Sequence, residues 1–169
     1  LSDLMAAITA LNIDGNLYSP NGVNLNINKS AGDMFKQGIN FVNNNKSPHT
    51  LALSGQIALT FRYRTQAGSE GADTTVINPN LYDLGGVLTA VPSNRFTIQR
   101  INIFSSNITR IQYGQTLYTS MASAIAALGN ETFIIEQNIF ENGLFRCLLI
   151  VRGGTTDLLE ITPEGNYYV

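Results

Sequence analysis

The chain has no tryptophan, one cysteine and one histidine in 169 residues, and charged side chains make up only 13% of it. Each shortage excludes a kind of chemistry. Cys147 cannot close an intrachain disulfide, and its place inside LFRCLLIV reads as a buried, inert thiol. His49, next to Pro48 in the polar stretch NNNKSPHT, has no second His or Cys to complete a zinc ligand set. No D-x-[DN]-x-[DN]-G loop offers a calcium site. No metal or cofactor is therefore expected. A serine or cysteine triad would have to recruit His49, and there is no G-x-S-x-G elbow.

No run approaches the roughly 18 apolar residues of a membrane span, and no basic stretch precedes an apolar core as in a signal peptide. Neither membrane insertion nor a leader is expected, although a first residue Leu rather than Met suggests a piece of something longer. The net charge is −2, and ten scattered Lys and Arg do not form the clustered footprint that nucleic acid requires.

The charged share is about half the roughly 25% usual for soluble proteins. Neutral amides and hydroxyls take its place, with Asn at about one residue in nine. A weakly charged surface of this kind favours association. The two readings are an oligomer that buries part of the surface and a monomer kept soluble by Asn-rich loops.

Residues 94–120, NRFTIQRINIFSSNITRIQYGQTLYTS, carry the clearest pattern. Phe96, Ile98, Ile101 and Ile103 are apolar with mostly period-two spacing, slipped once at Gln99-Arg100 as a β-bulge or an edge change would produce. Ser105-Ser106-Asn107 is turn chemistry, and Ile108–Tyr113 alternates again, so the segment predicts a β-hairpin ended by Gly114. LYTSMASAIAALGN predicts a helix over about 119–128, capped by Thr119 or Ser120 and stopped by Gly129-Asn130. Leu144–Val151 is an apolar run that predicts a strand buried on both faces.

Elsewhere, Ile57, Leu59, Phe61 and Tyr63 alternate with Thr60, Arg62 and Arg64, and Val23, Leu25 and Ile27 alternate with an amide ladder of Asn24, Asn26 and Asn28. ETFIIEQN is strand-like, QAGSEGADT reads as a flexible connection, and the chain around Tyr82-Asp83 and Gly85-Gly86 reads as turn. At the other end, LSDLMAAITALN has helical period over about 2–11. Leu1, Leu4, Ile8 and Leu11 fall on heptad a and d positions, as candidates for a subunit interface. A helix this short is marginal alone, so it reads either as the end of a stalk or as a helix docked on its own sheet. The acids, Glu70, Asp73, Glu131 and Glu136 among them, stand singly and mostly in loops; a glycosidase pair is not identified, although two of them could form one.

SAGDMFKQGINFVNNNKSPHT, LTFRYRTQAG, NPNLYDLGGVLTAVPSNRFTIQRI, RIQYGQTLYTS and FENGLFRCLLIVRGGTTDL occur in that order. Together they resemble a domain found at the ends of phage and viral fibre proteins, over roughly residues 31–159. The resemblance implies a homotrimeric head at the fibre tip on the virion surface, following a collagen-like or coiled-coil stalk. It brings no catalytic or binding residues with it.

The expectation is a mainly β chain, an antiparallel sandwich or jelly-roll-like head over 13–169 preceded by a stalk end at 1–12. Its expected role is attachment to a host-surface glycan or protein receptor, with registration of the stalk. A trimerisation cap without ligand and a fibre-borne depolymerase are the alternatives. In the absence of Trp, Tyr18, Tyr63, Tyr82 and Tyr118 are the residues available to stack on sugars.

Overall fold

The computed structural model describes residues 10–159 and the backbone of 167–168. Within them the chain is mainly β. The strands are β1 (Leu11–Gly15), β2 (Tyr18–Pro20), β3 (Ile27–Lys29), β4 (Gly32–Phe35), β5 (Thr50–Leu53), β6 (Phe61–Arg64), β7 (Leu81–Leu84), β8 (Val87–Ala90), β9 (Phe96–Ile103), β10 (Thr109–Gln112), β11 (Leu144–Arg152) and β12 (Tyr167–Tyr168). Two helices, α1 (Met121–Ala127) and α2 (Gln137–Asn142), precede β11.

The largest sheet has the order β12-β11-β9-β10-β6, and β1-β4-β5 forms a second one. The hairpins β2-β3 and β7-β8 stand as separate two-stranded sheets. Pairing is antiparallel except between β6 and β10, which run parallel with Arg62 opposite Arg110. The expected all-antiparallel arrangement fails there because 44 intervening residues carry the chain from Arg64 to Thr109 and bring it back in the same direction, a connection no tight turn could make.

β9 is the centre, and the slip in its pattern has a different cause from the one expected. Its pairing with β11 runs without interruption through Gln99-Arg100, and β10 pairs with it from Arg100 to Ile103. The apolar residues simply belong to two faces. Ile101 packs with Phe61, Ile111, Cys147, Leu149 and Val151, whereas Ile98 packs on the opposite side with Ala124, Leu148 and Ile150. The bulge lies in the partner strand instead, where Arg146 is the extra residue between Phe145 and Cys147. β11 is buried on both faces from Cys147 to Val151, as the apolar run predicts, whereas Phe145 near its start is 43% exposed.

The first face is covered by Tyr18, Ile27, Ile77 and Leu158. α1 lies on the second, its Ser120 Oγ accepting from Ser123 N at 3.1 Å and Ser123 Oγ accepting from Ser120 N in return. Gly129, with φ +77°, follows the helix end as expected. Gly85 and Gly86, at φ +63° and +92°, make the two-residue turn of the β7-β8 hairpin. Tyr82 and Asp83 are therefore in strand rather than turn.

Other expectations change as well. Leu11 begins β1, so the helix expected over about 2–11 does not reach its proposed end; Leu1, Leu4 and Ile8 lie outside the described residues. Ala58 takes φ +44° and breaks the alternation before β6, leaving Ile57 84% exposed while Leu59, Phe61 and Tyr63 are buried. Only Ile27 of Val23, Leu25 and Ile27 lies in a strand, and Val23 is exposed. The QAGSEGADT stretch folds back along β6, with reciprocal hydrogen bonds between Phe61 and Thr74 and a bond from Gly71 N to Tyr63 O.

ETFIIEQN forms no strand, and α2 begins within it. Its middle is extended but bonded by side chains. Gln112 donates to Ile134 O at 2.7 Å and accepts from Glu136 N at 3.1 Å. Gln115 donates to Ile134 O at 2.7 Å and accepts from Ile134 N at 2.8 Å. Two amides thus supply what a neighbouring strand would supply, which is why the residues look strand-like without pairing.

Candidate functional site

On the second face of the large sheet, period two places Arg62 and Arg64 of β6 on one side, and register sets Arg110 of β10 beside Arg62. Three cations this close repel unless offset. Three acids converge on them. Glu70 meets Arg62 Nη1 at 2.9 Å, Arg110 Nη2 at 3.1 Å and Arg64 Nη2 through its second oxygen. Asp73 accepts from Arg62, with Nη2 to Oδ2 at 3.2 Å. Glu136 Oε1 meets Arg64 Nη1 at 3.1 Å, while its Oε2 accepts from Ile139 N at 2.9 Å as the N-cap of α2.

The electrostatics follow from this packing. Burial pushes the Glu70 carboxyl up, but the hydrogen bond from Arg62 and the charges of Arg110, Arg64 and Arg62 outweigh it and hold it below the usual carboxylate range. The hydrogen bond from Arg62 likewise lowers Asp73, and Asp73 with Glu70 raises Arg62. Glu70 therefore stays ionised and is a poor proton donor for glycosidic cleavage.

Next to this cluster a cleft of about 100 Å³ is lined by Arg64, Phe104, Ser106, Ile108, Arg110 and Asn138. Its far wall is the tip of the β9-β10 hairpin. Asn107 takes φ +62° there, its Nδ2 donates to Ser54 O at 3.1 Å, and its carbonyl accepts from Gln56 Nε2 at 3.4 Å. The tip is thereby tied to the chain before β6.

The sequence places the arginines on one face but treats the acids as isolated; the structure joins three of them. The only signal was the alternation of Arg62 and Arg64 followed closely by Glu70 and Asp73. Of the tyrosines, Tyr18, Tyr63 and Tyr82 are buried and unavailable for stacking on a sugar. Tyr63 OH donates to Gln99 Oε1 at 2.8 Å and accepts from Asn78 N at 2.8 Å, and its ring stacks on Tyr113 with centroids 4.2 Å apart. Tyr118 remains half-buried, its hydroxyl pushed up to about 12, chiefly by burial and then by the charge of Glu131.

Two amides of the ladder, Asn24 and Asn28, are spent internally. Asn28 Oδ1 accepts from Asn21 Nδ2 and Ala58 N, and Asn24 Oδ1 accepts from Asn26 N. His49 Nδ1 accepts from Gly38 N at 2.9 Å, which occupies the lone pair a metal would use. Among the described residues no group of three or more His, Cys, Asp or Glu is disposed around a common point. Cys147 is buried and its thiol is pushed up to about 12 by desolvation. Leu11 is 52% exposed, free to contact another chain. Comparison with family models, with curated proteins and with solved structures finds no match.

Proposed function

We propose that this chain is a non-enzymatic, homotrimeric head domain of a viral fibre, placed at the fibre tip on the virion surface. In this reading it attaches the particle to a glycan or protein receptor on a host surface and holds the stalk in register. The observation that carries the self-association is the apolar surface left uncovered on a weakly charged chain. Val23, Val42, Ile57, Val87 and Phe140 are each at least 67% exposed, and Leu11, Ile13 and Leu17 are about half exposed. Leu11, Ile13 and Leu17 are near neighbours along the chain, and grouped apolar exposure of that kind marks an interaction surface, while a net charge of −2 opposes contact between copies very little. The fibre and attachment part rests on the sequence resemblance.

A jelly-roll-like sandwich is part of the same proposal. Its support is that Tyr18 and Ile27 of the small β2-β3 sheet share one core with Phe61, Ile101 and Leu149 of the large one. Three heads on one stalk would present three weak sites at once, and avidity would multiply a modest affinity.

The mass in solution, by light scattering, tests the assembly. A value near three times 18.4 kDa supports the head, and a monomer at all accessible concentrations overturns it. A stable trimer that binds neither cells nor glycans would leave only the registration role.

A further inference from the structure

We propose that the cleft between Arg64, Arg110, Asn138 and the β9-β10 tip binds one uncharged pyranose ring. This inference rests on the attachment reading and assigns it a site and a ligand chemistry.

The first argument is charge. The cleft has guanidinium walls, yet Arg62, Arg64 and Arg110 face Glu70, Asp73 and Glu136, three cations against three anions. An incoming phosphate or carboxylate would meet no net positive field and would compete with carboxylates already in place. A neutral polyol has no such conflict. Its hydroxyls donate and accept together, which suits a wall of fixed ionic groups and amides.

The second is the character of the walls. Phe104 and Ile108 give the cleft an apolar side, against which the C–H face of a pyranose can pack. Asn138 and Ser106 add short polar groups. Asn138 Oδ1 already accepts from Asn142 Nδ2 at 2.9 Å, while its own Nδ2 makes no hydrogen bond among the described residues.

The third is order before binding. Carboxylates pin both guanidiniums, and Asn107 fixes the tip through Ser54 and Gln56. Little side-chain freedom remains to be lost when a ligand enters. The volume of about 100 Å³ is below the ~300 Å³ at which drug-sized ligand sites begin, so the cleft takes no more than one ring and an oligosaccharide would have to extend outward.

Two other clefts offer less. One beside Asp14 and Asp33 holds two carboxylates without a balancing cation in its lining, and one beside Ile135, Phe140 and Phe145 has Asn102 as its one polar side chain.

The test is saturation-transfer NMR on the whole chain. The probes are methyl α-D-mannopyranoside, methyl β-D-galactopyranoside, methyl β-D-glucopyranoside and N-acetyl-D-glucosamine, with N-acetylneuraminic acid and inorganic phosphate as anionic controls. At least one neutral probe is expected to bind with a millimolar-range Kd, with saturation strongest on one C–H face, and the anions are expected to bind more weakly. Ser106 is exposed, so S106W fills the cleft without touching the core. S106W and N138A should each weaken binding by about tenfold or more, with circular dichroism unchanged. No binding of any neutral probe, preference for the anions, or binding unaltered in both variants would each overturn the proposal. In the last case a sugar site elsewhere would leave the attachment reading standing, and the solution mass tests the trimer separately.

Discussion

Arg64 on β6 and Glu136 at the head of α2 lie 72 residues apart in sequence and meet at 3.1 Å, with Glu136 almost wholly buried. Glu136 answers two needs at once, as N-cap to Ile139 and as partner to a guanidinium. Glu136→Ala should therefore cost about 2–4 kcal/mol, from the lost cap plus an arginine left part-buried without one partner. Glu136→Gln, whose one amide oxygen can keep the cap to Ile139 N but not the contact with Arg64 as well, should cost less than Glu136→Ala. Urea unfolding of the two variants measures the difference, and equal losses would mean the charge is decisive and the cap is not.

Glu70 holds three arginines together, and its acidity is enhanced in the folded state. A depressed carboxyl contributes stability that is present above its unfolded pKa and lost as pH falls through the folded one. Glu70→Gln is expected to lose about 1 kcal/mol near neutral pH at low salt, the pair being partly exposed, and to show a shallower decline than wild type in acid. Thermal melts from about pH 7 down to about pH 3 should show the two curves converging.

Glu131 behaves in the opposite sense. Burial raises its carboxyl, against weaker opposing effects from Tyr118, Thr116 and Arg100, and Oε1 is buried without a hydrogen bond. Its contribution is fully present below the unfolded pKa and is lost as pH rises through the folded one. Glu131→Gln should thus melt higher than wild type at about pH 7, with the gap closing towards about pH 4. A lower melting temperature at neutral pH would show that the carboxylate is favourably held.

Leu149 is fully buried in the core shared by β6, β9 and β11. Leu149→Ala should cost about 2–5 kcal/mol, transfer loss plus cavity. Cys147 in the same cluster should react with a thiol reagent only as fast as the protein opens, so its rate should rise in L149A.

The β7-β8 turn needs left-handed backbone at both glycines, and Asp83 Oδ1 accepts from Gly86 N at 2.7 Å to fix it. No atom would meet a Cβ at Gly85, so Gly85→Asn should change stability by less than about 0.5 kcal/mol, while the β-branched Gly85→Val should cost more than about 1 kcal/mol. Gly114 is a different case. A Cβ there would lie 2.0 Å from Thr97 Oγ1 and 2.7 Å from Ile98 O, so Gly114→Ala should disrupt the central sheet in a far-ultraviolet spectrum.

The chemistry of neighbouring residues determined much of this protein without help from the rest of the chain. Turn residues at Ser105–Asn107 and Gly85-Gly86 close their hairpins, Ser120 and Gly129 bound α1, and the unbroken apolar run of β11 requires cover on both faces. Those signals are local, with periods of two or 3.6 residues, and can be read from a short window. Tertiary structure decided what depends on register and on return of the chain. It set β6 parallel to β10, sorted Ile98 and Ile101 to opposite faces of one strand, and buried tyrosines that composition left available. It also brought Glu70, Asp73 and Glu136 onto three arginines. A single charge in a loop has no period, and its partner is fixed only when strands tens of residues apart choose one alignment, since a slip by one residue would turn every side chain to the other face.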